Sequence, residues 1–231
     1  MIVGGVQKLT LVDFPGKVAA IIFTKGCIFR CPYCHNPDLV LPERGVVVPL
    51  PEVKYFLEEK KDFLDGICIS GGEPTLHKDL PEFIAYIKDL GYSVKLDTNG
   101  VTPSMVQELI DRKLVDYFAM DLKQTWEKYQ KIANLAPGKE RFIESCKETF
   151  KIIQESSVPH EWRTTVLPGI HTEADFIEMA SWLLPGEQYF IQDINYAVTL
   201  DTNLNKNNRL DVSDLVTTLQ GLYPHLRIEK R

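Results

Sequence analysis

The run Gly26-Cys27-Ile28-Phe29-Arg30-Cys31-Pro32-Tyr33-Cys34-His35-Asn36 places three cysteines, Cys27, Cys31 and Cys34, within eight residues. Three thiolates at this spacing can converge on one metal centre from a single loop. Thiolates are the ligands that iron–sulfur clusters favour, and a four-iron cluster ordinarily takes four of them. With three, one iron keeps an open position, and an open position separates a reactive metal site from a structural one, as it does for zinc. The loop therefore reads as the holder of a [4Fe-4S] cluster with room for a substrate. Two other readings use the same residues. A structural zinc site could combine the three cysteines with His35, although such sites usually draw their ligands from two separated pairs. A redox pair Cys31-x-x-Cys34 would leave Cys27 unexplained. His35 alone reads as a hydrogen-bonding loop residue.

Working outward, Val18-Ala19-Ala20-Ile21-Ile22-Phe23 leads into the loop and is apolar throughout, as a strand covered on both faces is. Further strands read at 66–70, 93–97, 117–121, 162–166 and 188–192. Helical patterns fall between and after them, at 51–64, 80–90, 103–114, 139–155, 172–184 and 212–223. Pro51 suits a first turn, Thr102 an N-cap and Gly91 a C-terminal stop. Repeated strand–helix units imply a parallel sheet with right-handed crossovers. Six strands are too few for a closed eight-stranded barrel, so an incomplete barrel or a doubly wound sheet is expected. Both folds place the ligand site at the carboxyl ends of the strands.

Polar motifs stand at those ends. Ser70-Gly71-Gly72-Glu73-Pro74-Thr75 offers two glycines that let backbone approach a ligand and a carboxylate that could grip an amino group. On its own it is also an ordinary strand-to-helix turn. Asp97-Thr98-Asn99-Gly100 could make a hairpin, but the helix near Pro103 favours a turn that leaves Asp97 for a ligand or ion. Asp121 and Lys123 point the same way along a strand, toward a ligand or into a mutual salt bridge. Arg163 needs a partner within its strand, either a ligand carboxylate or a buried Asp. The run Asp201-Thr202-Asn203-Leu204-Asn205 begins like a calcium loop, yet Lys206 replaces the required Gly and Val212 the bidentate Glu. It reads as a solvated or partner-facing loop.

The bulk properties set limits. The 231 residues fit one domain, 1–231, with an N-terminal extension at 1–16 and a polar loop at 201–211. A net charge of −6 argues against nucleic acid, and Lys60-Lys61 and Lys230-Arg231 are too short to reverse that. No apolar stretch approaches the roughly 20 residues of a membrane span. The N-terminus lacks the basic-then-apolar pattern of a secretion signal, so a cytoplasmic location with reduced thiols is expected. Cys68 and Cys146 are too few for a second four-thiolate cluster, and Cys68, between Ile67 and Ile69, reads as a small buried hydrophobe.

Taken together, the motifs resemble those of the radical S-adenosylmethionine (SAM) superfamily and, within it, the glycyl-radical-enzyme activases that serve anaerobic ribonucleoside-triphosphate reductase. The matching segments are 11–16, 26–36, 70–76, 96–100, 120–123 and 163–169, which follow the family order across nearly the whole chain. The resemblance implies an α/β fold, an incomplete (β/α)6 barrel of partial TIM type, with a [4Fe-4S] cluster on Cys27, Cys31 and Cys34. SAM would chelate the unique iron, with Gly71, Gly72 and Glu73 at its methionine end and Asp97 and Lys123 beside it. Related activases hold a monovalent cation, for which Asp97, Thr98 and Asp121 would be the ligands here. The implied chemistry is that of an oxidoreductase: one electron from a low-potential donor such as flavodoxin or ferredoxin cleaves SAM to methionine and a 5′-deoxyadenosyl radical, which creates a glycyl radical on a partner enzyme. The chain departs from the formate-lyase activase pattern at the sixth strand, where a histidine near SAM has no equivalent in Ile191-Gln192-Asp193-Ile194-Asn195. No cysteine lies between Cys34 and Cys68, so a second cysteine-rich module is absent there. Three alternatives share parts of this reading: an activase of pyruvate formate-lyase type, a radical SAM enzyme acting on a small molecule, and a non-catalytic zinc-binding module.

Overall fold

Runs of Ile, Val and Ala with no exposed face dictate the centre of the sheet. The computed structural model describes residues 1–41, 43–204 and 210–231. Its strands follow one another through one sheet in chain order: β1 (Val3–Thr10), β2 (Ala19–Thr24), β3 (Gly66–Gly71), β4 (Ser93–Thr98), β5 (Tyr117–Asp121), β6 (His160–Thr165), β7 (Gln188–Gln192) and β8 (Arg227–Lys230). The middle six are the expected ones, displaced by about two residues at most. The helices are α1 (Pro37–Val40), α2 (Leu50–Lys60), α3 (Leu80–Asp89), α4 (Pro103–Asp111), α5 (Tyr129–Ala133), α6 (Arg141–Glu155), α7 (Glu173–Ser181) and α8 (Val212–Leu222).

Two strands lie outside the expectation. β1, within the N-terminal extension, pairs antiparallel with β2, with Val3 opposite Thr24 and Thr10 opposite Ala19. Its two glycines and irregular register hide the alternation that marks a half-buried strand. β8 pairs parallel with β7 and buries Ile228 among charged neighbours, too short a signal to read. Of the polar loop 201–211, residues 205–209 lie outside the described residues, and the Lys206 of the calcium-loop comparison with them. No described helix is long and apolar enough to cross a membrane.

The chain forms two compact units. The first comprises Met1–Ile28, Asp38–Ala119 and Ser145–Pro159. Its strands β2, β3 and β4 run parallel, with Ile21 beside Cys68 and Cys68 beside Lys95. Val53 and Leu57 of α2, Ile84 and Ile87 of α3, and Val106 and Leu109 of α4 are buried at helical spacing. Cys146, Phe150 and Ile153 are likewise buried on α6. Cys68 is fully buried, as a small hydrophobe would be.

The second unit comprises Phe29–Pro37, Met120–Glu144 and His160–Arg231. Trp162 and Tyr189, neighbours across β6 and β7, are its largest buried side chains on the sheet. Asp175 anchors the start of α7, accepting from Thr172 N at 2.9 Å, Gln124 Nε2 at 3.0 Å and Lys128 Nζ at 2.5 Å. His171 fixes the loops after β5 and β6. Leu167 N–H donates to its Nδ1 at 2.8 Å, so the proton sits on Nε2, which donates to the Lys123 carbonyl at 2.8 Å.

Burial pushes the His171 pKa below the ordinary imidazole value, only partly opposed by the Lys123 carbonyl. The unfolded chain therefore binds a proton near pH 6.5 that the folded chain refuses, and stability falls as pH drops through that value. Replacing His171 by Gln removes one such proton, so the acid limb of stability should flatten by up to about 1.4 kcal/mol per pH unit. Urea unfolding of both proteins between pH 7.5 and 5 checks this, and identical acid limbs would contradict it.

Candidate active site

In the first unit the site begins where β2 ends. Lys25 is buried, with its ammonium on the carbonyls of Arg44 and Val46 and its amide on the Ile2 carbonyl. Gly26 N donates to Leu39 O at 2.6 Å and Cys27 N to Val40 O at 3.3 Å, which sets the direction of the cysteine loop as it leaves the sheet. The Gly71-Gly72 pair packs directly against this segment. Gly72 N donates to Thr24 O and Glu73 N to Gly26 O, both at 2.8 Å. A Cβ at Gly72 would lie 2.2 Å from Gly26 O, and Gly71 has φ +115° with 2.5 Å to Thr24 N. The first reason for both glycines is thus backbone against backbone within the chain.

Glu73 is 1% exposed and its carboxylate is engaged. Oε1 accepts from Thr75 N (3.1 Å), Thr75 Oγ1 (2.6 Å) and Thr98 Oγ1 (2.8 Å), and Oε2 from Asn99 N (2.7 Å). These four donors match the roughly four acceptor positions of a carboxylate. The expected grip on an amino group would therefore require one of these bonds to be given up. Burial raises the Glu73 pKa, and the hydrogen bonds from Thr75, Asn99 and Thr98 pull it back.

Asn99 is the residue the sequence reading passes over as a turn former. Its Oδ1 accepts from Val101 N at 3.2 Å, which orients the amide so that Nδ2 donates to Cys27 Sγ at 3.5 Å. Its carbonyl accepts from Cys146 Sγ at 3.2 Å, and Thr149 Oγ1 donates to the Gly100 carbonyl at 2.7 Å. Cys146 therefore supports the loop from α6. Asp97 Oδ2 accepts from Ser70 Oγ at 3.0 Å, and Oδ1 lies 2.5 Å from the ammonium of Lys95. Lys95 was legible by the signal that singled out Arg163, a charge inside a strand.

In the second unit, Asp121 accepts from Lys123 Nζ at 3.1 Å and from Arg163 Nε at 3.1 Å. Asp121 and Lys123 form a salt bridge, and Arg163 pairs with the same carboxylate. Burial opposes the Lys123 charge, but the Asp121 carboxylate outweighs it and holds the ammonium well above its ordinary range. The ammonium lies 5.9 Å from the centre of the Tyr33 ring. Burial pushes the Cys31 thiol up to about 11 and raises Cys34 too, while Lys123 draws both down. Half-buried His35 has its pKa lowered by burial, in keeping with a neutral loop residue.

The same cysteine loop is tied down by backbone. Arg30 N donates to Ala133 O at 2.9 Å, and Phe29 packs edge-on to Tyr129. From the far end of the chain, Leu200 N donates to Cys34 O (3.0 Å) and Asp201 N to Pro32 O (2.9 Å). The loop 201–211 is thus in contact with the cysteine loop through its first residue.

The expected site residues divide between the units. Cys27, Gly71, Gly72, Glu73, Asp97 and Thr98 belong to the first, and Cys31, Cys34, Asp121 and Lys123 to the second. All five cysteines are free thiols. Among the described residues no three His, Cys, Asp or Glu side chains are grouped to hold a single metal ion. Cluster thiolates each take a separate iron and need not meet at one point. In the first unit a thiol with an amide donor on it, Cys27, and in the second two thiols beside a cation, Cys31 and Cys34, are of the ligand type that iron–sulfur clusters take. The residues named for a monovalent cation do not fit one. Asp97 already carries Lys95, Asp121 carries Lys123 and Arg163, and the Thr98 hydroxyl is committed to Glu73.

Comparison with known proteins agrees with this chemistry. Residues 21–183 match the model of the Radical SAM superfamily. A protein of Methanocaldococcus jannaschii, provisionally named as a glycyl-radical enzyme activating enzyme, is 35% identical over 89% of this chain and 85% of its own. The pyruvate formate-lyase-activating enzyme of Listeria monocytogenes is 33% identical over 53% of each chain. The crystal structure of Streptococcus suis SuiB bound to S-adenosylmethionine superposes with a TM-score of 0.71 at 16% identity, covering 91% of this chain and 49% of that one, a likeness of fold. The expected fold class, a partial barrel built on a mostly parallel sheet, therefore holds, with eight strands in place of six. The chain is an enzyme of the radical SAM superfamily and belongs, within it, to the family of the glycyl-radical enzyme activating enzymes.

Proposed function

We propose that this chain cleaves SAM reductively at a [4Fe-4S] cluster on Cys27, Cys31 and Cys34 and installs a glycyl radical on anaerobic ribonucleoside-triphosphate reductase, drawing its electron from a flavodoxin- or ferredoxin-like donor. The observation that carries the reading is the match along most of both chains with a glycyl-radical enzyme activating enzyme. The choice of client draws support from the sixth parallel strand, β7, which ends in Gln192 where formate-lyase activases carry a nearby histidine. A second reading keeps the chemistry and changes the client to pyruvate formate-lyase, and the Listeria relative favours it.

A [4Fe-4S] cluster held by Cys27, Cys31 and Cys34 would supply the single electron that reductive cleavage of SAM requires. The residues of the chain do the placing. Lys123 stays cationic and lowers the cost of thiolates at Cys31 and Cys34. The Asn99 amide donates to Cys27 sulfur, and hydrogen bonds to sulfur are among the levers that set a cluster's potential. Glu73 serves as a positioning residue, holding the Gly71-Gly72 backbone and the end of β4 rather than gripping SAM with its carboxylate. The client's glycine has no side chain to block the approach of a radical to its Cα.

Three measurements test this. Anaerobic reconstitution should give one four-iron cluster by iron and sulfide analysis. Any of Cys27→Ala, Cys31→Ala or Cys34→Ala should abolish it, while Cys68→Ala and Cys146→Ala retain it. Loss confined to the last two would remove the cysteine loop from the site. Glu73→Ala should lower folding stability and SAM affinity together, because each buried donor it orphans costs about 1–3 kcal/mol. Full stability with only SAM affinity lost would instead put the carboxylate on SAM. Finally, electron paramagnetic resonance on anaerobic mixtures with SAM and a reductant should show a glycyl-radical doublet on the ribonucleotide reductase. A doublet only on pyruvate formate-lyase would exchange the client, and SAM cleavage with no protein radical would favour a small-molecule substrate.

A further inference from the structure

Lys95 stands in the middle of β4 and is 1% exposed. Charged side chains are almost never this buried unless paired. Its partner is Asp97, two residues along the same strand and so on the same face. The ammonium lies 2.5 Å from Oδ1, and Ser70 of β3 occupies Oδ2 at 3.0 Å. Cys68, in register with Lys95 on β3, continues that face. The Asp97 side chain keeps 15% of its surface accessible, whereas that of Lys95 keeps 1%. The charge of the carboxylate is therefore balanced from within the protein, by a group held in place by the strand itself.

We propose that the Lys95 ammonium is a tethered cation that takes the place of the monovalent cation implied at Asp97, so that this enzyme needs neither K⁺ nor Na⁺ at its SAM site. An ammonium and an alkali ion carry the same charge, and the ammonium adds directed N–H donors. A tethered cation is present at every salt concentration, whereas a free one binds only as its concentration allows. A second cation placed close to Asp97 would meet the repulsion of the ammonium already there. The bearing of Lys95 on SAM rests on the proposed place of Asp97 beside SAM, but the cation itself can be tested without SAM.

The test compares the wild-type chain with Lys95→Met in choline chloride, NaCl and KCl at equal ionic strength. Melting temperature is measured without SAM, and SAM affinity by calorimetry on the reconstituted protein. Wild-type values should be the same in all three salts. Lys95→Met should melt lowest in choline, rise with K⁺ or Na⁺, and recover roughly tenfold in SAM affinity with them. A wild-type protein stabilised by K⁺ or Na⁺ over choline would overturn the proposal, and so would a folded Lys95→Met variant indifferent to all three. Should that variant not fold, the wild-type salt comparison decides alone. A wild-type chain that binds SAM in none of the salts would defeat the proposed function while leaving the melting comparison to decide on the cation.

Discussion

The carboxylate of Glu73 gathers four donors from the ends of β3 and β4, while its own amide reaches Gly26 at the start of the cysteine loop. Taking a charge out of water is costly, and the cost is met only where hydrogen bonds replace the lost solvent. Here they do, and the same bonds decide where neighbouring groups stand. Asn99 is fixed by its amide on Glu73, and its side chain then meets Cys27. The same carboxylate thus holds the turn after β3 to the end of β4.

The second unit solves a different electrostatic problem. Two cations, Lys123 and Arg163, pair with the one carboxylate of Asp121, and the Lys123 ammonium stands near Cys31 and Cys34. Burial pushes those thiols toward the protonated form, and the Lys123 charge opposes it. His171 holds the Lys123 carbonyl from the other side, so the position of the ammonium depends on a neutral imidazole locked in one tautomer.

How much of this could be read beforehand follows from the kind of signal each feature leaves. Largely apolar runs announced β2, β3 and β5, as strands covered on both faces allow, whereas β4 alternates polar and apolar residues. β1 escaped because glycines and irregular pairing erase its period, and β8 because four residues with one buried Ile carry almost none. Motif spacing brought forward the cysteines, Gly71, Gly72, Glu73, Asp97, Asp121 and Lys123. What spacing could not show was commitment. Glu73, Asp97 and Asp121 are acidic groups in ligand-like positions, yet each is already matched by donors that converge only on folding. Lys95 and Asn99 supply two of those matches: the strand lysine carried the same signal as Arg163, whereas the turn asparagine carried none.

The bonds from Leu200 and Asp201 to Cys34 and Pro32 join segments near opposite ends of the chain. A chain that emerges from the ribosome one end first exposes its cysteines long before the segment that secures them has been made. Contacts so distant in sequence also form late, because a long loop must close before they gain anything. The cysteine loop should thus reach its final shape only after synthesis has passed residue 201. A metal centre on this loop would on this account be assembled late, and a chain cut short of residue 201 would offer a loose thiol segment in place of a formed cradle.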